Sequence, residues 1–272
     1  MTHDTLAAVV RWQQKNGNGR KLEITFHGGE PLLPSIAWYR MALPILREGL
    51  SPRSVRFSVQ SNLWLLTDEL CDLFKAYQVS LGTSLDGPEA INDAQRGRGY
   101  FRRTMAGIER AHAHGLNVGV ICTFTSNSAT QADSVFNFYL EKGLSFSVHA
   151  ALQPIGPPDS NFRLLPEDHG QLLVDLLERY LDNADRVRIS TLDAMCRSIS
   201  AGYGGICTFT DCLGHYLAVD PEGWIYPCQR MAGMTPFRLA NVHDCPTRED
   251  LEKCHELGQL IAAGCEAGIF CG

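Results

Sequence analysis

Alternation of apolar and polar residues is the first pattern along this chain. Leu22, Ile24 and Phe26 alternate with Glu23 and Thr25, the period-two signature of a strand with one apolar face. Arg53–Gln60 repeats it, with Val55, Phe57 and Val59 opposing Arg56, Ser58 and Gln60. Further strands are predicted over Val79–Ser84, Asn117–Phe124 and Leu144–Gln153. Between them the apolar positions switch to helical spacing. Helices are predicted over residues 4–16, from Pro34 to about Glu48 despite Pro44, and after Thr67, a good N-cap. Three more are predicted over Phe101–His114, Gln131–Lys142 and Leu165–Asp182. Gly115 and Gly143 stand where helix C-termini favour glycine.

Strands that alternate with helices in this way argue for βα units and an α/β fold with a parallel sheet. A filled barrel needs an apolar inward face. Here the second face of the strand at 53–60 is Arg56, Ser58 and Gln60, with Asn62 beyond. Outer helices take the apolar face, so the polar face looks into an open lumen. Five strands are also too few for a closed eight-stranded barrel, so a partial, open βα barrel is expected over residues 1–200. The character changes near Gly202-Tyr203-Gly204-Gly205, which reads as a linker. Beyond it, Asp220-Pro221-Glu222-Gly223 between two apolar runs predicts a β-hairpin inside a small cysteine-rich extension, 201–272.

Composition narrows the function classes. The chain has 272 residues, a net charge of −6 and a pI near 5.8. This balance argues against electrostatic nucleic-acid binding. No apolar run approaches a bilayer-spanning length, and Met1-Thr2-His3-Asp4 opens no signal peptide. A soluble cytoplasmic protein without membrane or nucleic-acid partners is expected. Seven of the ten cysteines follow residue 200. In a reducing compartment such clustering reads as metal ligation rather than disulfides. Cys71, Cys122 and Cys196 sit in apolar segments and are expected to be small buried hydrophobes.

Two stretches carry candidate chemistry. In Phe26-His27-Gly28-Gly29-Glu30-Pro31, two glycines at a strand exit let a ligand approach backbone N–H and C=O groups. Glu30, fixed by Pro31, would accept a charge-assisted hydrogen bond from a cationic group. By itself this stretch better suits an ordinary strand-to-helix turn with a surface glutamate. In the second stretch, the hairpin brings Cys228 back towards Cys207 and Cys212. Three cysteines converging without a helix make a metal-site geometry.

Taken in order, Phe26-His27-Gly28-Gly29-Glu30-Pro31-Leu32-Leu33, Val59-Gln60-Ser61-Asn62, Ser84-Leu85-Asp86-Gly87-Pro88 and the Cys207/Cys212/Cys228 hairpin resemble radical S-adenosylmethionine (SAM) enzymes with a SPASM extension. These include anaerobic sulfatase-maturating enzymes and ribosomal-peptide maturases. The resemblance implies a partial barrel that holds S-adenosyl-L-methionine at its strand ends. Gly28, Gly29 and Glu30 would meet the methionine amino group. Gln60, Asn62, Ser84 and Asp86 would line the lumen against cofactor or substrate, although Asp86 suits a plain turn residue equally well. Cys207, Cys212 and Cys228 would hold an auxiliary [4Fe–4S] cluster, with Cys265 and Cys271 as ligands of a second. An external electron donor and a peptide or protein substrate are implied, with hydrogen abstraction by a 5′-deoxyadenosyl radical.

The chain departs from that pattern in three places. The family's CxxxCxxC loop should precede the Gly-Gly-Glu strand, yet no cysteine precedes Cys71. The last cysteine motif, Cys265 to Cys271, stops short of its usual continuation. A fragment cut at both ends, and inactive by itself, is therefore expected. The aspartate base of sulfatase-maturating enzymes is replaced by Gln229, followed by Arg230, which points to another peptide substrate. No catalytic residue is assigned. The alternatives are a non-catalytic peptide-binding barrel with a structural metal site, or a zinc protein using Cys207, Cys212 and Cys228 with Cys265 or Cys271.

Overall fold

The alternating segments form strands in the expected places. A computed structural model describes residues 1–17, 21–51, 54–152, 163–202 and 216–244. Five strands, β1 (Leu22–Phe26), β2 (Val55–Gln60), β3 (Val79–Ser84), β4 (Val118–Phe124) and β5 (Phe146–Ala150), form one sheet in sequence order. β3, β4 and β5 pair in parallel, with Gly82 opposite Gly119, Ser84 opposite Ile121 and Thr123 opposite His149. Each crossover runs through helices: α2 (Ile36–Gly49), α3 (Asp68–Ala76), α4 (Glu89–Arg96) with α5 (Tyr100–Ala113), and α6 (Ser126–Ala129) with α7 (Ala132–Lys142). α1 (His3–Asn16) precedes the sheet, and α8 (Pro166–Leu181) and α9 (Ser190–Ala201) follow it. The architecture is the expected α/β half-barrel.

Two units can be described separately: residues 1–24 and 34–57 with the described part of 211–272, and residues 25–33 with the described part of 58–210. In the second unit one face of the sheet is apolar and closed. Val59, Val79, Leu81, Val120, Cys122, Phe124, Phe146 and Val148 are all buried there. Ser58, Gln60, Gly82, Ser84, Ile121, Thr123, Ser147 and His149 occupy the opposite face and retain exposure. Period-two alternation forces this division, because helices cover only the apolar side. α3 starts as expected, with Thr67 Oγ1 accepting from Leu70 N at 3.2 Å.

The first unit is organised around α1. Ala8 forms a cluster with Ile225 and Val242. The latter two belong to a small antiparallel sheet of β6 (Ala218–Val219), β7 (Trp224–Tyr226) and β8 (Ala240–Asn241) and its exit. The first two strands are the expected hairpin, with Gly223 in a left-handed conformation and Asp220 Oδ1 accepting from Glu222 N and Trp224 N. α2 lies against α1, where Gly49 allows Val10 to approach: an added Cβ would stand 2.6 Å from Val10 Cγ1. Among the described residues, no helix is long and apolar enough to cross a membrane.

Candidate functional site

At the exit of β1 the chain turns through Gly28 (φ +89°) and Gly29 (φ +53°). A Cβ on either would meet nothing within 4 Å. The glycines are therefore required by backbone conformation, and the space before them is open. That leaves the peptide groups accessible to a ligand, as the sequence suggests.

Glu30 follows, held in a way the sequence does not reveal. Its Oε1 accepts from Leu32 N at 2.9 Å and from Ser61 Oγ at 2.6 Å. Its Oε2 accepts from Asn62 N at 3.0 Å. A carboxylate offers about four acceptor positions, so one remains, on Oε2. The carboxylate thus ties the exit of β1 to the exit of β2 and keeps one charge-bearing position for a cation. His27 Nδ1 accepts from Gly28 N at 2.6 Å, which places any ring proton of the neutral form on Nε2. Desolvation lowers the His27 pKa, against the opposing pull of the Glu30 charge.

The other expected ligand contacts fall in two groups. Gln60 and Ser84 both lie on the open polar face, with Gln60 Nε2 3.5 Å from Ser84 Oγ. Gly82 makes room for them: a Cβ there would lie 2.2 Å from Gln60 Oε1. Asn62 is half-buried and turns its Oδ1 back onto Trp64 N at 2.9 Å, leaving its amide nitrogen uncommitted to that turn. Asp86 does not line the open face. It is 1% exposed. Its Oδ1 accepts from Thr123 N and Arg96 Nη2, and its Oδ2 from Arg96 Nε and Gln95 Nε2, at 2.6–3.0 Å. All four acceptor positions are filled, because burying a carboxylate without partners is costly. Asp86 locks α4 to the ends of β3 and β4 instead.

Four residues that the sequence pattern does not mark are Leu63, Trp64, His149 and His169. Leu63 adopts φ +64°, unusual for a bulky side chain. Its amide donates to Ser61 Oγ at 2.9 Å. Trp64 Nε1 donates to Thr104 Oγ1 at 3.1 Å, and its ring meets that of Tyr100 at 5.0 Å. On the far side, at the end of β5, His149 has its pKa lowered by desolvation. His169, in the first turn of α8, is lowered by desolvation and by neighbouring His149. Gln-Ser-Asn after a strand was a usable signal for Ser61; nothing local marked Leu63 or His149.

Of the expected metal ligands, Cys228 is half-buried just after β7, with its thiol free. Cys207, Cys212, Cys265 and Cys271 lie outside the described residues. Cys71 and Cys122 are fully buried, as expected, and burial raises both thiol pKa values, Cys71 to about 11. Cys196 differs: α9 buries Leu192 alone, and the cysteine one turn on is exposed. Among the described residues, no three His, Cys, Asp or Glu side chains are placed to share a metal. The open glycine turn beside a clamped carboxylate fits the amino-acid end of S-adenosylmethionine. The described residues provide no ligand set for a catalytic cluster.

Comparison with known proteins bears on the family and the fold. A model of the radical SAM superfamily matches residues 1–128. A protein of Methanothermobacter thermautotrophicus is 42% identical over 199 residues, spanning 73% of this chain and 76% of its own length. The cysteine-type anaerobic sulfatase-maturating enzyme of Clostridium perfringens is 24% identical over 273 residues, covering 96% of this chain and 73% of that enzyme. Among solved structures, native anSMEcpe with bound AdoMet superposes with a TM-score of 0.82 at 23% identity, covering 94% of this chain and 73% of that one. A second form of the same protein carries AdoMet and the Cp18Cys peptide, with a TM-score of 0.83. At this identity the structural likeness speaks to the fold.

Proposed function

Because this chain belongs to the radical SAM superfamily, among relatives that mature peptides and proteins, we propose that it binds S-adenosylmethionine at Gly28–Glu30 and serves the modification of a peptide substrate. The observation that carries this reading is the Glu30 carboxylate, clamped by Ser61, Asn62 and Leu32 beside two open glycines. Its remaining acceptor position on Oε2 would take the ammonium of the methionine moiety as a charge-assisted hydrogen bond. The Gly28 and Gly29 peptide groups would lie alongside that moiety. Gln60 and Ser84 would meet the cofactor or the substrate on the polar face, and Asn62 would do so from its amide nitrogen. Asp86 would act at one remove, by holding α4 in place. Held there together with a [4Fe–4S] cluster, the cofactor would supply radical hydrogen-abstraction chemistry, and an external donor would provide the electrons. Residues 1–200 would form the barrel unit, and 201–272 an iron–sulfur extension carrying Cys207, Cys212, Cys228, Cys265 and Cys271. The AdoMet and the peptide bound by anSMEcpe support both halves of the proposal, the cofactor and the substrate class.

Anaerobic equilibrium dialysis of the full chain with S-adenosylmethionine tests the cofactor half. Glu30→Gln removes one charge-assisted bond, about 1.5–3 kcal/mol, and should weaken binding by about 10- to 100-fold. Unchanged binding by Glu30→Gln, or none by the wild type, would leave the non-catalytic peptide-binding barrel as the better reading.

A further inference from the structure

Between Ala94 and Ile108 the sequence carries Arg96, Arg98, Arg102 and Arg103 and no acidic residue, in a chain whose net charge is −6. Two of these charges are neutralised. Arg96 pairs with Asp86 at 2.6 Å, and Arg102 with Glu89 at 2.7 Å. Arg98 and Arg103 have no carboxylate partner among the described residues. Both are exposed. Arg98 sits at the apex of a turn between Gly97 (φ +103°) and Gly99 (φ +81°), immediately before α5. Arg103 sits over Trp64, its Cζ 3.7 Å from the ring centroid.

The first turn of α5 contains no acid of its own; Asp93, from α4, supplies the carboxylate that helix N-termini favour. The amides there are not vacant. Asp93 accepts from Gly99 N at 2.6 Å and from Phe101 N at 2.8 Å. Among the described residues, the positive charge left without a carboxylate partner in this stretch therefore resides on the two guanidinium groups. The cation–π contact with Trp64 restrains the Arg103 guanidinium, so less freedom is lost when it binds a carboxylate. This rim adjoins the candidate site. Trp64 N bonds Asn62 Oδ1, and Asn62 N bonds Glu30 Oε2.

We infer that Arg98 and Arg103 form a docking rim for an acidic peptide segment, which each would bind through a carboxylate. The inference rests on the peptide-modifying reading above and names the charge class of that substrate. Charge complementarity favours a peptide over nucleic acid: two arginines match paired carboxylates, whereas a chain of net charge −6 has no basic surplus to follow a run of phosphates.

Fluorescence anisotropy on the full chain provides the test. The probes are a labelled dodecapeptide of alternating Glu and Gly and its Gln–Gly counterpart, each at low and moderate salt. The acidic probe should bind about tenfold more tightly at low salt, from two partly exposed charge contacts. The preference should shrink with added salt. Arg98→Gln with Arg103→Gln should abolish it, while Arg98→Lys with Arg103→Lys retains part of it and controls for folding. Equal binding of the two probes, binding of neither, or a preference surviving the glutamine pair would overturn the inference. So would tighter binding of oligothymidylate than of the acidic probe. None of these results alters the dialysis measurement on Glu30, so the two readings fail separately.

Discussion

Gly107 lies in the middle of α5, where alanine would normally be better by about 0.8–1.0 kcal/mol. A Cβ at this position would stand 2.5 Å from Leu63 Cβ and 2.8 Å from Leu63 O. Neither atom is the far end of a flexible side chain. Leu63 is 1% exposed, at φ +64°, with its amide bound to Ser61 Oγ and its carbonyl accepting from Leu66 N at 3.2 Å. That conformation already costs on the order of 1–3 kcal/mol, so the loop has little room to yield. Overpacking of this kind costs about 1–3 kcal/mol, and two contacts against fixed atoms place it at the upper end. Subtracting the helical gain, Gly107→Ala should destabilise by about 1–2 kcal/mol. Urea titration followed by far-ultraviolet circular dichroism should show a lower midpoint at unchanged slope. The displacement should also travel from Leu63 through Ser61 Oγ to Glu30 Oε1, so S-adenosylmethionine binding should weaken in the same variant. If Gly107→Ala is instead more stable than the wild type, helix propensity has won, and the tight Leu63 contact is refuted.

Two other perturbations follow from the buried polar groups. Asp86→Asn leaves Arg96 without an anion in a largely buried setting and should cost about 2–4 kcal/mol, below the full range for buried pairs because the Arg96 side chain keeps 23% of its exposure; a urea midpoint within error of the wild type would show that Gln95 and Thr123 suffice. His27, His149 and His169 all have folded-state pKa values lowered, mainly by desolvation. The folded state therefore binds fewer protons than the unfolded chain, and stability should fall as the pH drops through about 6.5 and stay lower below the folded values. Thermal melts between neutral pH and about pH 5 measure this, and His149→Gln should flatten the dependence; a melting temperature that rises on acidification would contradict the sign.

The elements that sequence patterning located are those whose causes are local. β3 runs over Val79–Ser84 as its alternation predicts, and Thr67 caps α3 because a hydroxyl three residues before an amide is a local fact. α4 and α9 carry no such local pattern. α4 contains only two buried residues, Ile91 and Asn92, and α9 only Leu192, so neither shows an apolar stripe. They are held from outside, α4 by the Asp86–Arg96 pair. The same contrast separates the two carboxylates of the candidate site. Glu30 announced itself because two glycines and a proline surround it in the chain. Its clamp did not, since Ser61 lies 31 positions away and reaches it only once β1 and β2 are neighbours. Asp86 suits a ligand-facing strand end and a plain turn residue equally well by its local sequence, and it faces inward because Arg96, ten residues later, lies on α4. A carboxylate's role is thus set by which donors the fold brings to it, and those donors come from elements whose own patterns can be silent.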